Sequence, residues 1–141
     1  MAFKLSPSLR AGLEVAARAA AALAYAPYSK FRVGAAVLME SGKIYRGANV
    51  ENASYGLGCC AERTALFTAL AAGERKLQAV AVYTPTAAPT SPCGACRQVL
   101  SEFGPDALVI SVCDSTRRQE NSLAVLLPEP FGPRNLARKR T

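Results

Sequence analysis

LQAVAVYTPTAAPTSPCGACRQVLSEFGPDALVISVC, residues 77–113, holds two apolar runs with a helical one between them. Leu77–Thr84 and Ala107–Cys113 have strand length and are rich in valine and isoleucine, while Gly94–Phe103 predicts a short helix. Strand, helix and strand in that order predict a βαβ crossover and two parallel strands in one sheet. Upstream, Cys60–Ala72 (CAERTALFTALAA) predicts a helix stopped by Gly73. Phe31–Met39 and Ile44–Ala48 predict a hairpin across Ser41-Gly42, followed by a loop over Asn49–Gly58. Further out, Leu9, Leu13, Val15, Ala16, Ala20 and Leu23 recur at helical spacing. They predict an amphipathic helix over Pro7–Ala24, capped by Ser6 and ended before Pro27. Downstream, Arg117–Ser122 is polar and carries a weak signal, and Leu123–Leu127 is apolar up to Pro128. A hairpin followed by crossovers predicts an α/β fold whose mixed sheet is covered on both faces.

The 141 residues suit one domain, and half of them are apolar, enough for a core without disulfide staples. The apolar stretch Ala11–Ala26 is broken by Glu14 and Arg18 and is too short and charged to span a membrane. With no signal-peptide pattern at the N-terminus, a cytoplasmic protein without a membrane partner is expected. The net charge is +7, to which Arg134, Arg138, Lys139 and Arg140 contribute four positive charges. Residues 1–133 therefore read as a single domain and 134–141 as a basic, flexible tail. Aromatic residues do not alternate with these charges, so a nucleic-acid arm is disfavoured.

The cysteines carry the sharpest chemical signal. There are five, and the chain has no histidine. An odd count without a secretory pattern points to metal binding or catalysis. A catalytic zinc takes three protein ligands and leaves a fourth position to water. Cys60, Cys93 and Cys96 are the candidate ligands, Cys93 and Cys96 gripping from one turn and Cys60 from another element. Both groups fall at predicted helix starts, where the helix dipole favours thiolates. Arg63 and Arg97 follow directly in sequence, and one or both are expected to hydrogen-bond to a thiolate sulfur. Glu62 is the acid–base candidate, since histidine is absent. The bland alternative is a closed structural site with Cys59 or Cys113 as a fourth ligand. Cys59 should point away once the helix begins, and Cys113 sits in an apolar run that suits a core.

Five blocks carry a family resemblance: APYSKFRVGAA at 26–36, GANVENA at 47–53, CAERTA at 60–65, SPCGACRQV at 91–99, and Leu126-Leu127-Pro128 with Phe131-Gly132-Pro133. In this order they resemble the small homotetrameric zinc-dependent cytidine deaminases, over nearly the whole chain. The resemblance implies a three-layer α/β/α sandwich around a mixed five-stranded sheet, one zinc per subunit, and active sites completed across subunits. It implies hydrolysis of free cytidine and deoxycytidine in pyrimidine salvage, with Glu62 shuttling a proton to the pyrimidine N3 and then to the departing amine. Asn49 and Glu51 would read ribose, Phe31 would pack on the pyrimidine, and backbone groups of Ala61 and Cys93 would meet the base. Tyr55 and Ala53 would lie near a subunit junction, and Phe131 would approach a neighbour's site. The polar run Ser115–Ser122 and Pro130 depart from the family pattern, so the fifth strand is expected to be short or frayed.

Three rivals fit less well. A deaminase of the blasticidin-S type would share the cysteine blocks but not the Asn-Val-Glu-Asn pattern at 49–52. A polynucleotide deaminase would usually carry a histidine ligand. A zinc-stabilised binding module would have no use for Glu62 beside the metal.

Overall fold

The computed structural model describes residues 3–137; Arg138, Lys139 and Arg140 of the basic tail lie outside the described residues. In chain order the elements are α1 (Pro7–Ala21), β1 (Gly34–Met39), β2 (Ile44–Ala48), a 3₁₀ turn (Tyr55–Leu57), α2 (Ala61–Ala71) and β3 (Leu77–Tyr83). There follow α3 (Gly94–Phe103), β4 (Leu108–Val112), β5 (Arg118–Ser122), α4 (Leu123–Leu126) and α5 (Pro133–Leu136).

The strands form one mixed sheet in the order β2-β1-β3-β4-β5. Only β3 and β4 run parallel, joined by the crossover through α3, and the remaining neighbours are antiparallel. Alternate residues of a strand face opposite sides, and the core divides accordingly. Ala35, Val37 and Met39 of β1 pack with Leu66 of α2 and Leu100 of α3, whereas Ala36 and Leu38 pack with Leu13 and Ala17 of α1. All six residues of β1 are buried, as expected of a strand covered on both faces. The fold is thus the α/β/α sandwich around a five-stranded mixed sheet that the family resemblance implies.

Two glycines let the helices approach the sheet closely. A Cβ on Gly34 would land on the backbone of Ala17 in α1, and one on Gly47 would strike the backbone of Ala65 in α2. The second contact seats α2 on β2 and so fixes where its N-terminus points.

The structure departs from the sequence reading in three places. First, α1 ends at Ala21 rather than Ala24. Residues 22–24 tighten into bonds to carbonyls three residues back, after which Tyr25 is drawn into a bridge with Val50. Second, β1 begins at Gly34 rather than Phe31. The Asn49 side chain takes the Phe31 carbonyl and the Val33 N–H that a strand would have used. Third, β5 is regular, not frayed, pairing residue by residue with β4 from Leu108↔Ser122 to Val112↔Arg118. It is polar because it is an edge strand, and α1 grips it by the ion pairs Arg10–Glu120 (2.7 Å) and Glu14–Arg118. After β5, Ser122 caps α4 and Leu123 enters the core.

Candidate active site

Two helix N-termini meet at the cysteines. Cys60 is the N-cap of α2 and Cys93 that of α3, both in extended backbone, and Cys96 lies in the first turn of α3. Their three sulfurs lie within 4.8 Å of one another, with Cys60 and Cys93 Sγ 3.8 Å apart. Among the described residues this is the group of Cys, His, Asp or Glu side chains spaced to hold a metal ion. Three soft sulfur donors converging from two elements fit zinc, and the fit does not require a fourth protein ligand. Cys96 is buried, Cys60 half-buried and Cys93 exposed, so the cluster opens to solvent on one side.

The other two thiols stand apart. Cys59 pairs its backbone with Val50, one residue before the helix turns Cys60 inward. Cys113 is buried beyond β4, its sulfur 3.3 Å from the Ser115 hydroxyl and from the Arg117 carbonyl. Neither belongs to the cluster, which argues against a closed four-cysteine site.

A hydrogen bond with Cys96, aided by Arg63 and Cys93, brings the Cys60 thiol down to about 5. The same hydrogen bond and burial push the Cys96 thiol up. Arg63 donates from Nη2 to Cys60 Sγ at 3.5 Å. Arg97, by contrast, is turned away from the sulfurs. It donates to the carbonyls of Pro92 (2.8 Å) and Leu126 (2.9 Å) and to the Ser91 hydroxyl (2.9 Å), pinning the loop before α3 to α4. Three oxygen acceptors within reach outbid a sulfur, and the residue shapes the cysteine turn instead of touching it.

Glu62 occupies the first turn of α2, only 4% exposed, and burial raises its carboxyl above the ordinary range. Ala61 beside it is fully buried. A second group of sequence candidates gathers around the 26–33 loop. Asn49 Oδ1 accepts from Val33 N and its Nδ2 donates to the Phe31 carbonyl, both at 2.8 Å. Glu51 Oε1 accepts from the N–H groups of Tyr28 (3.0 Å) and Ser29 (3.2 Å), and Oε2 accepts from the Ser29 hydroxyl. Phe31 is 38% exposed on that loop. Tyr55 stacks at a tilt on Tyr28 with ring centroids 5.7 Å apart, and Tyr28, Ser29, Glu51, Asn52, Tyr55 and Gly58 line a cavity of about 300 Å³. Phe131 stands on the surface, its carbonyl held by Gln98 Nε2 at 2.8 Å.

Sequence reasoning missed Ser29, Ser91 and Gln98. All three lie inside the quoted motif blocks, but an isolated serine or glutamine gives no sign of which distant group it will hold.

The comparisons with known proteins agree with this geometry. Residues 10–112 match the family model described as the cytidine and deoxycytidylate deaminase zinc-binding region. A cytidine deaminase of Halalkalibacterium halodurans is 53% identical over 109 residues, covering 77% of this chain and 83% of the relative. One of Sporosarcina psychrophila is 47% identical over 115 residues, covering 81% and 85%. The crystal structure of cytidine deaminase from Burkholderia pseudomallei superposes with a TM-score of 0.83 at 49% identity, covering 90% of this chain and 100% of that one. The fold and the three-cysteine cluster define the class as a zinc-dependent deaminase. Within that class, the chain belongs to the cytidine deaminase family. It is an enzyme, and its metal is zinc.

Proposed function

We propose that this enzyme hydrolyses free cytidine and deoxycytidine to uridine and deoxyuridine with release of ammonia, Glu62 carrying the protons. The observation that supports it most is a buried carboxyl in the helix turn that starts at a cysteine of an open, three-sulfur cluster. Zinc, held by Cys60, Cys93 and Cys96, would supply a water made nucleophilic at neutral pH. Glu62 accepts a proton from the attacking water and delivers it to N3 as the C4–O bond forms. It then passes the second water proton to the amine as the C4–N bond breaks, leaving uridine and ammonia. Burial suits it to this work, because a carboxyl whose pKa is raised exchanges protons nearer neutrality.

Asn49 and Glu51 orient the sugar. After its two contacts to the loop, the Asn49 amide keeps one N–H and one oxygen lone pair for a hydroxyl, and Glu51 Oε2 keeps a further acceptor direction. Phe31 offers a ring face to the pyrimidine, and the backbone groups of Ala61 and Cys93 at the helix starts offer polar contacts to the base edge. Residues 1–133 make up the catalytic domain and 134–141 a tail. Tyr55, Leu57, Val125 and Phe131 are each more than half exposed, which supports a homotetramer whose sites are completed across subunits. A free nucleoside substrate fits a cytoplasmic role in pyrimidine salvage.

The test compares cytidine, deoxycytidine and free cytosine as substrates, followed by ultraviolet absorbance and ammonia release. Both nucleosides should turn over, and cytosine should be poorer by orders of magnitude, because unpaired sugar-binding groups would stay unsatisfied. Comparable turnover of cytosine would overturn the ribose assignment. No turnover by zinc-loaded enzyme would overturn the substrate class. Light scattering at the mass of four chains is expected for the assembly, and a monomer would refute it.

A further inference from the structure

We infer that Ser29 is a positioning residue for sugar recognition: its hydroxyl ties the Glu51 carboxylate and the Phe31 backbone into one frame. The inference rests on the reading above that Glu51 contacts the sugar and Phe31 the base. Ser29 Oγ accepts from the Phe31 N–H at 3.0 Å and donates its own proton to Glu51 Oε2. The Phe31 carbonyl is held by Asn49, so both polar groups of the Phe31 peptide backbone end on this network. A carboxylate has about four lone-pair directions. The loop takes three of Glu51's, through Tyr28 N, Ser29 N and Ser29 Oγ, which leaves one for a substrate hydroxyl. A freely rotating carboxylate would not present that last direction, and Ser29 Oγ is the only partner holding Oε2 among the described residues.

Two further features fit this assignment. Between Ser29 and Phe31, Lys30 has φ +60, a conformation side-chain-bearing residues rarely adopt, so the loop needs outside bonds to keep its shape. The Ser29 hydrogen bond is also the main influence lowering the Glu51 carboxyl below its ordinary range, so the charged acceptor is the form the loop stabilises. Ser29 is exposed, and its substitution leaves the buried core intact.

The test is steady-state kinetics on cytidine with zinc-loaded wild type, Ser29→Ala, Ser29→Thr, Glu51→Gln and the Ser29→Ala/Glu51→Gln double variant. Loss of one hydrogen bond to a charged group should raise KM about tenfold in Ser29→Ala with kcat little changed. Ser29→Thr, which keeps the hydroxyl, should restore KM to near wild type. In the Glu51→Gln background, adding Ser29→Ala should change KM by less than about twofold, because the effect passes through Glu51. An unchanged KM in Ser29→Ala, a loss in kcat alone, or the same fold-change in both backgrounds would overturn the positioning role. Should Glu51→Gln itself leave KM unchanged, the sugar reading fails and takes this inference with it. A raised KM in Glu51→Gln with none in Ser29→Ala sinks the Ser29 step alone.

Discussion

The cysteine corner and the 26–33 loop are both candidate parts of one site, yet they are held in opposite ways. The corner is made by two helix N-termini seated on the core, with Cys96, Ala61 and Glu62 all buried. The loop is exposed from Pro27 to Arg32 and is held by single side chains, Asn49 and Glu51, that reach across to its backbone. Packing fixes the groups proposed to handle protons and metal, where a small displacement is costly. Hydrogen bonds fix the groups proposed to read the sugar, so single side chains decide how they are aimed. Damage to the corner should therefore register as lost metal, lost stability and lost kcat, and damage to the loop as altered KM.

The largest effect expected is that of Cys96→Ala. It removes a buried donor, and both zinc content and turnover should vanish; full zinc by elemental analysis in that variant would break the assignment. Next is Leu100→Ala, one turn beyond Cys96 on α3 and fully buried. It should cost about 2–5 kcal/mol in urea unfolding, with KM for the surviving folded enzyme unchanged. A change in KM without loss of stability would blur the division drawn here. The smallest effect concerns pH. Because the folded loop favours ionised Glu51, its contribution is present above the ordinary carboxylate range and lost only as pH falls through the lowered value. Carbon-13 NMR titration of the Glu51 carboxyl should show a value below that of a free glutamate, moving upward in Ser29→Ala. A value at or above the ordinary one would remove the support that the charged form lends to the loop.

Much of this was legible before the structure. The βαβ unit at 77–113 announced itself because β3 and β4 are buried on both faces and therefore read as continuous apolar runs. The cysteine cluster was legible because its three ligands fall in two short motifs at helix starts. Sequence periodicity failed at β5, where Arg118, Gln119 and Glu120 gain their order from pairing with β4 and from charges on α1. Of the two arginines, one or both of which were expected to reach a sulfur, Arg63 does, while Arg97 spans to Leu126, 29 residues away. The same holds for Ser29, whose partner is 22 residues downstream. Long-range polar bonds leave no periodic trace in a sequence, and those that hold this loop are of that kind.

The central claim is that Glu62 moves the protons while the three cysteines hold the metal. It is tested most directly by cytidine turnover in wild type and Glu62→Gln, with zinc quantified in both. Equal zinc and a kcat lower by about 10²–10⁴ in the variant are expected. A variant that keeps its zinc and turns over cytidine at the wild-type rate would contradict it.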